Sequence, residues 1–437
     1  MNDADAATVR RVAWRLMPLL TLLYFISILD RSNISVAALT MNHDLGLSAA
    51  EYGFAAGIMA IPYMLFEVPS NLALEKFGPR PWIARIMITW GIVAAGQALV
   101  WNASSLYWAR ALLGAAEAGF VPGVLLYMTR WFPAAYRGRM IAIFFLGIPV
   151  SLVIGTPMSG LILGMDGLFG VRGWQWVFII EGIPAVLFGI LLPVLMPNDL
   201  RSATFLSTTE RDRLAAKLDA EHAMRQHETR QGLLGALIDI RVLLLCLAYY
   251  GIAPLNNGVV TFLPLTLKAY GVSNTAATFL AAIPYAFGAI GMVVLGRLAD
   301  RPGKRALANY LALTISVVGL LAAAYIDTPG LRFAAICVAG VGVFSCMPVF
   351  WGLPTGILSG SAAAAGIALV NCLAQFGSFV NPVVIGRIVD ATGSVNGGLL
   401  FLAGMAVMAM VVLTIIFAIW GRPEAEIPRG AALSGSD

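Results

Sequence analysis

Apolar positions in this chain gather into long runs separated by short polar stretches. Twelve of these runs reach the roughly 20 residues that a helix needs to cross a bilayer. They lie at Trp14–Leu39, Tyr52–Phe77, Trp82–Val100, Leu106–Phe132, Met140–Leu163 and Trp174–Met196, then at Leu243–Tyr270, Ala276–Ala299, Ala306–Tyr325, Leu331–Leu358, Ala365–Val389 and Leu399–Trp420. A single long hydrophilic interval, Asn198 to Asp239, divides six runs from six. Inside it, Thr208-Thr209-Glu210-Arg211 opens a stretch rich in Arg, Lys, Glu, Ala and Leu, which predicts a capped surface helix. The pattern predicts an all-α polytopic membrane protein. It has an N-terminal six-helix bundle over 1–197, a linker over 198–240, and a C-terminal six-helix bundle with its tail over 241–437.

The halves repeat each other. Asn71-Leu-Ala-Leu-Glu75-Lys76-Phe-Gly78-Pro-Arg80 follows the second run, and Gly296-Arg-Leu-Ala-Asp300-Arg301-Pro-Gly303-Lys-Arg305 follows the eighth at an offset of 225 residues. Ile61-Pro62-Tyr63 recurs as Ile283-Pro284-Tyr285, and Pro157 recurs as Pro382. Repeats of this length imply two pseudo-symmetric bundles with a site between them. The loop motif has a mechanical logic: its glycines permit a tight turn, and its acid can stabilise the N-terminus of a neighbouring helix. Asn71, Glu75, Gly78 and Arg80 in the first copy, and Gly296, Asp300, Arg301, Gly303 and Arg305 in the second, are therefore expected to form conformational latches.

Composition agrees with the pattern. Hydrophobic residues make up 59% of the 437 and charged residues only 12%, about half the soluble share. A net charge of +5 would suggest nucleic acid in a soluble chain; here topology accounts for it. With the N-terminus placed in the cytoplasm, 22 of the 28 Lys and Arg fall on that side. Four (Arg172, Lys268, Arg332, Arg387) fall opposite, and Arg31 and Arg110 lie within spans. That split predicts both termini inside. The first apolar run is too long for a signal-peptide core and is expected to remain as a membrane helix.

The four cysteines sit in apolar segments without metal-ligand spacing, so neither metal nor cofactor is expected. All three histidines fall outside the spans, which leaves carboxylates as the proton carriers. Four of these lie within spans: Asp30, Glu67, Glu117 and Glu181. Asp30 and Arg31 interrupt the first span, where each charge costs about 2.5–3.5 kcal/mol on insertion scales. They are expected to face a protein interior or a water-filled cavity, a structural ion pair being the plainer alternative. Consecutive residues splay by about 100° on a helix, so Asp30 and Arg31 do not face each other. Arg110 and Glu117 are two turns apart on one face of the fourth span. Arg31 is thus free to engage Glu117 or the carboxylate of a substrate. Glu67 and Glu181 are expected to make structural hydrogen bonds.

Twelve spans, the six-plus-six repeat and the duplicated loop together resemble the major facilitator superfamily. Leu29-Asp30-Arg31-x-Asn33, Arg110 with Ala116-Glu117-Ala118-Gly119-Phe120-x-Pro122-Gly123, and Arg130-Trp131-Phe132-Pro133 narrow the resemblance to the anion:cation symporters. That family includes bacterial tartrate, phthalate, hydroxyphenylacetate and galactonate permeases. Asn71 and Glu75 stand where the family usually has Gly and Asp, so the first latch is expected to be the weaker. The resemblance implies that Asp30 and Glu117 carry protons and that Arg31 engages the anion, and it places Trp351 and Asn371 near the substrate.

Span interiors of the second half offer no clear charge, but polar and aromatic groups: Tyr249, Tyr250, Asn256, Asn257, Tyr285, Trp351 and Asn371. The N-terminal bundle is expected to handle charge, through Arg31 and Arg110 with Tyr63. The C-terminal bundle is expected to grip the substrate's neutral body through Asn256, Asn257, Trp351 and Asn371. Phe144, Phe145 and Ile148 tilt the substrate toward tartrate or an aromatic acid. The expectation is a monomeric, proton-coupled importer of a small organic carboxylate in the bacterial inner membrane, binding lipid and no nucleic acid. A proton-driven efflux antiporter for drugs or hydrophobic compounds is the alternative.

Overall fold

The computed structural model describes residues 3–200, 203–226, 239–354 and 361–420. Among them, twelve helices are long and apolar enough to cross a membrane, and no strand occurs. In chain order the elements are α1 (Asp3–Asp44), α2 (Ala49–Ile58), α3 (Ala60–Phe77), α4 (Pro79–Gly96), α5 (Ala103–Glu117), α6 (Phe120–Thr129), α7 (Ala134–Phe145), α8 (Gly147–Val150), α9 (Thr156–Leu163) and α10 (Gly173–Leu195). The linker helix is α11 (Thr208–Gln226). The second half holds α12 (Ile240–Ala269), α13 (Asn274–Ala299), α14 (Arg305–Tyr325), α15 (Pro329–Trp351), α16 (Ser361–Thr392) and α17 (Asn396–Trp420).

Three spans that hydropathy reads as continuous are broken. The second divides at Met59 and the fourth at Ala118-Gly119; the fifth passes through a π-helical turn at Ser151–Gly155. Such breaks are tolerated at membrane depth only where the freed backbone is buried in protein or lines a cavity. Gly119 makes the fourth-span break possible. Its φ is +85°, and a Cβ there would fall 2.3 Å from Ser70 Oγ. Any side chain would collide with the hydroxyl that accepts the Trp82 indole N–H at 3.0 Å.

Two ends differ from the hydropathy limits for physical reasons. α1 runs on to Asp44, whose carboxylate accepts from Arg172 at 2.6 Å and from the Trp174 indole at 2.9 Å. The tenth span was expected to reach Leu358, but α15 stops at Trp351 because the Arg305 guanidinium donates to the Gly352 carbonyl at 2.8 Å and caps it. Residues 355–358 of that expected span lie outside the described residues, as do linker residues 227–238 and the tail from 421.

Compactness divides the chain differently from the sequence repeat. One unit comprises Met1–Arg230 with Asn257–Ile283 and Ser378–Val395; the other comprises Gln231–Asn256, Pro284–Gly377 and the last segment from Asn396. In the first unit, α1 packs along α10, α7 and α9, and α4 lies against α10. Lipid-tail solvent gives little drive for such pairing, so small residues that let backbones touch decide it. A Cβ on Gly182 would lie 2.6 Å from the Ala95 nitrogen, and one on Gly91 would lie 2.7 Å from the Val186 nitrogen. Outward from this seam, Leu187, Ile190, Leu191 and Val194 of α10 are exposed, as a lipid-facing surface requires. In the second unit, α14 packs between α15 and α17.

The linker helix is fastened to the first unit by carboxylates. Ser207 and Glu210 form a reciprocal cap, and Arg11 of α1 donates to both Glu210 oxygens at 3.0 Å. Hydrogen bonds from Ser207, aided by Arg11, hold the Glu210 carboxyl below its usual range. Glu221 accepts the Ala134 N–H at 3.1 and 3.0 Å, capping the start of α7.

The α4–α10 seam makes a direct prediction. Gly182→Leu should cost about 1–3 kcal/mol by overpacking and lower the unfolding temperature in detergent by several degrees. An unchanged unfolding temperature would contradict backbone contact at this seam.

Candidate functional site

The site is built on the middle of α1, where two polar faces emerge from one apolar helix. Ser27 and Arg31 are one turn apart and share a face; Asp30 and Asn33 share the neighbouring one. On the first face, the Arg31 Nε–H donates to Glu117 Oε1 at 2.8 Å, and the Ser27 hydroxyl donates to the same oxygen at 2.5 Å. Glu117 is the last residue of α5, so the break at Ala118-Gly119 follows directly behind its carboxylate. The Tyr63 ring of α3 lies under the guanidinium, 4.7 Å from ring centre to Cζ. The Arg31 side chain is 30% exposed and Glu117 only 1%, so the pair opens to its surroundings through the arginine.

An ion pair of this kind is poorly explained by stability. Desolvating two charges costs several kcal/mol each, and their attraction seldom returns more. The pair is also incompletely satisfied: Arg31 Nη2 and Glu117 Oε2 are buried without hydrogen-bond partners. Arg110, on the same helix as Glu117, is 2% exposed, and its Nε and Nη1 are likewise unpartnered. Two guanidinium groups thus stand in electrostatic reach of the Glu117 carboxylate. This arrangement can accept an additional anion.

Asp30 turns away from its neighbour. It is 1% exposed, and its Oδ2 accepts the Trp90 indole N–H of α4 at 2.7 Å. Glu181 of α10 is equally buried, its Oε1 accepting the Ser159 hydroxyl at 2.5 Å. Glu67 is half-buried near Arg31 and Tyr63, with no hydrogen-bond partner among the described residues, contrary to the structural bond expected of it.

The remaining expected site residues are dispersed. Asn257 belongs to the first unit and donates to Ser378 Oγ at 2.6 Å. Asn256, Trp351 and Asn371 belong to the second, where the Trp351 indole donates to the Tyr249 hydroxyl at 3.0 Å. Tyr285 is fully buried against Phe344, and Phe144 is stacked on Tyr24 at 4.4 Å. Both side chains are fully buried in aromatic packing. In the loop motifs, Gly78 and Gly303 take the left-handed turns their positions require, and Arg305 holds Gly352. Glu75 and Asp300 are exposed and form no ion pair among the described residues; Asn71 Oδ1 is buried without a partner. Arg80 is half-buried, Gly296 has open space around it, and Arg301 is exposed.

Sequence reasoning missed four residues. Ser27 was signalled by its one-turn spacing from Arg31, and Trp90 by its mid-span position. Ser159 and Asp390 gave no local signal. Asp390 sits near the end of α16, and its two oxygens accept the Ala49 and Ala50 N–H groups at 2.9 Å each. It therefore caps α2 across 340 residues of sequence. Close by, the Tyr52 hydroxyl donates to the Thr261 carbonyl at 2.8 Å. A Cβ on Gly53 would fall 2.1 Å from the Pro382 carbonyl oxygen, so α2 and α16 touch along their backbones at the face opposite the start of α1.

Comparison with known proteins gives this geometry a context. The family model described as the Major Facilitator Superfamily matches residues 20–382. A candidate tartrate transporter of Agrobacterium vitis is 42% identical over 417 residues, covering 95% of this chain and 92% of that protein. A quinolone resistance transporter of Acinetobacter baumannii is 37% identical over 417 residues, covering 95% and 96%. Among solved structures, a D-xylose-proton symporter superposes with a TM-score of 0.73 at 18% identity, covering 94% of this chain and 98% of that one; this shows the fold alone.

The Asp390 cap predicts a conformational effect. Removing it as Asp390→Ala should weaken the contact of α2 with α16 by about 1–2 kcal/mol, a five- to thirtyfold shift in population. Spin labels at His43→Cys and Ala391→Cys in a cysteine-free background should show a larger population of long distances. An unchanged distance distribution would contradict the role.

Proposed function

Because the chain belongs to the Major Facilitator Superfamily and is a membrane transporter rather than an enzyme, we propose that it imports a small organic carboxylate together with protons. The observation that carries this reading is the buried Arg31–Glu117 pair with Arg110 unpartnered beside it. Glu117 stands in reach of both guanidinium groups, Asp30 also faces Arg110 and Glu67 lies near Arg31, and a substrate carboxylate can take the place of Glu117 on Arg31. Protonation of Glu117 releases Arg31, whose planar fork then takes the substrate in its place. Deprotonation restores the internal pair and expels the anion. Tyr63 holds the guanidinium from below through its ring face.

The partition of basic residues supports cytoplasmic termini. On that orientation the face where Asp390 caps α2 is external, and α2 is closed there against α12 and α16. The cycle we propose is alternating access, in which the bundles rock about the site. Asn256, Asn257, Trp351 and Asn371 are assigned to the neutral part of the substrate. Two guanidinium groups suit an anion with two carboxylates, and the resemblance to a candidate tartrate transporter makes tartrate the first compound to try.

The similarity to a quinolone resistance transporter favours a second reading, efflux of hydrophobic compounds in exchange for protons. That activity needs a buried acid but no carboxylate-binding arginine.

Proteoliposomes supplied from outside with tartrate, phthalate, hydroxyphenylacetate or a quinolone, under imposed proton gradients, separate the two. Carboxylate accumulation is expected, and Arg31→Ala should weaken it at least roughly thirtyfold, as truncating a buried charge pair costs about 2–5 kcal/mol. Glu117→Gln and Asp30→Asn should abolish the response to the proton gradient. Quinolone transport that persists in Arg31→Ala, with no carboxylate uptake by the unaltered protein, would overturn the import reading.

A further inference from the structure

The second polar face of α1 carries chemistry that the anion site does not use. Asp30 and Asn33 point to the side of α1 away from the Arg31–Glu117 pair, toward α4 and α10. There Glu181 is held by the Ser159 hydroxyl through Oε1, with Asn33 beside it. Asp30 Oδ1, Glu181 Oε2 and both amide atoms of Asn33 are buried with no hydrogen-bond partner. Asn33 is fully buried. Asp30 is faced by Glu181, Glu117 and Arg110; no cation forms an ion pair with Glu181 among the described residues.

Two carboxyls in electrostatic reach of one another, in a membrane interior and without a dedicated cation, cannot both be ionised at low cost. An amide between them suits either charge state: its oxygen accepts from a protonated carboxyl, and its nitrogen donates to an ionised one. Each of the three residues keeps at least one buried polar atom free for such a bond.

We infer that Asp30 and Glu181 form one proton-holding site bridged by Asn33, with Glu181 a coupling carboxyl in its own right. The inference rests on the proton-coupled reading and deepens it. One acid, Glu117, answers to the substrate through Arg31. A second store of protons sits behind α1, shielded from the anion. The proton moves between Asp30 and Glu181 through a water: one carboxyl O–H breaks, the other forms, and Asn33 only exchanges hydrogen bonds with the two acids.

The test compares gradient-driven accumulation with gradient-independent substrate exchange in proteoliposomes. Glu181→Gln should lose at least tenfold more of the first than of the second, and its pH profile should shift. A hydrophobic carbodiimide applied to the unaltered protein should label Glu181, increasingly so as pH falls. This decides the matter should the variant fail to fold. Unaltered accumulation and pH profile in Glu181→Gln, or a Glu181 that stays unlabelled throughout the pH range of transport, would overturn the inference while leaving proton coupling intact. An unaltered protein driven by sodium and indifferent to pH would remove both.

Discussion

The cost of charge in a membrane interior shapes this molecule more than any other constraint. Arg31 and Glu117 meet at 2.8 Å in a setting where either charge alone would cost several kcal/mol. Helices of a hydrophobic chain could pack without them. Their pairing ties α1 to α5, positions Ser27 and Tyr63 around the contact, and leaves Arg110 without a partner. On the proposed function, a pair that is costly to keep and costlier to break serves as a switch, because an outside carboxylate or a proton can replace one half.

The rest of the fold holds that switch in place. Gly119 breaks the fourth span immediately after Glu117, with Ser70 packed where a side chain would be. Gly91 and Gly182 bring α4 against α10, and the two helices carry Trp90 and Glu181 to the second face of α1. Opposite faces of one helix thus serve two polar clusters. Carboxylates also fasten the periphery: Glu221 caps α7 with Arg137 also donating to it, and Asp390 caps α2 through the positive end of its helix dipole.

The helical layout could be read from the chain, because bilayer thickness imposes a length on every span. The one-residue splay between Asp30 and Arg31 follows from helix geometry and placed them on different faces. Other features escaped because they depend on distant partners. Hydropathy averages over the break at Gly119, since its flanking residues are apolar on both sides. The end of α15 depends on Arg305, 46 residues before Trp351, and the cap on α2 depends on Asp390 in another span. Aromatic depth was not legible either: the burial of Phe144 and Tyr285 is set by neighbours that periodicity alone does not reveal.

If a proton and an anion compete and cooperate through one ion pair, linkage requires that binding either one alters affinity for the other by the same factor. The direct measurement is the pH of a weakly buffered detergent solution of the purified protein as the transported carboxylate is added. The account predicts net proton uptake on binding, lost when Glu117 is replaced by Gln. Saturable carboxylate binding without any proton movement in the unaltered protein would contradict it.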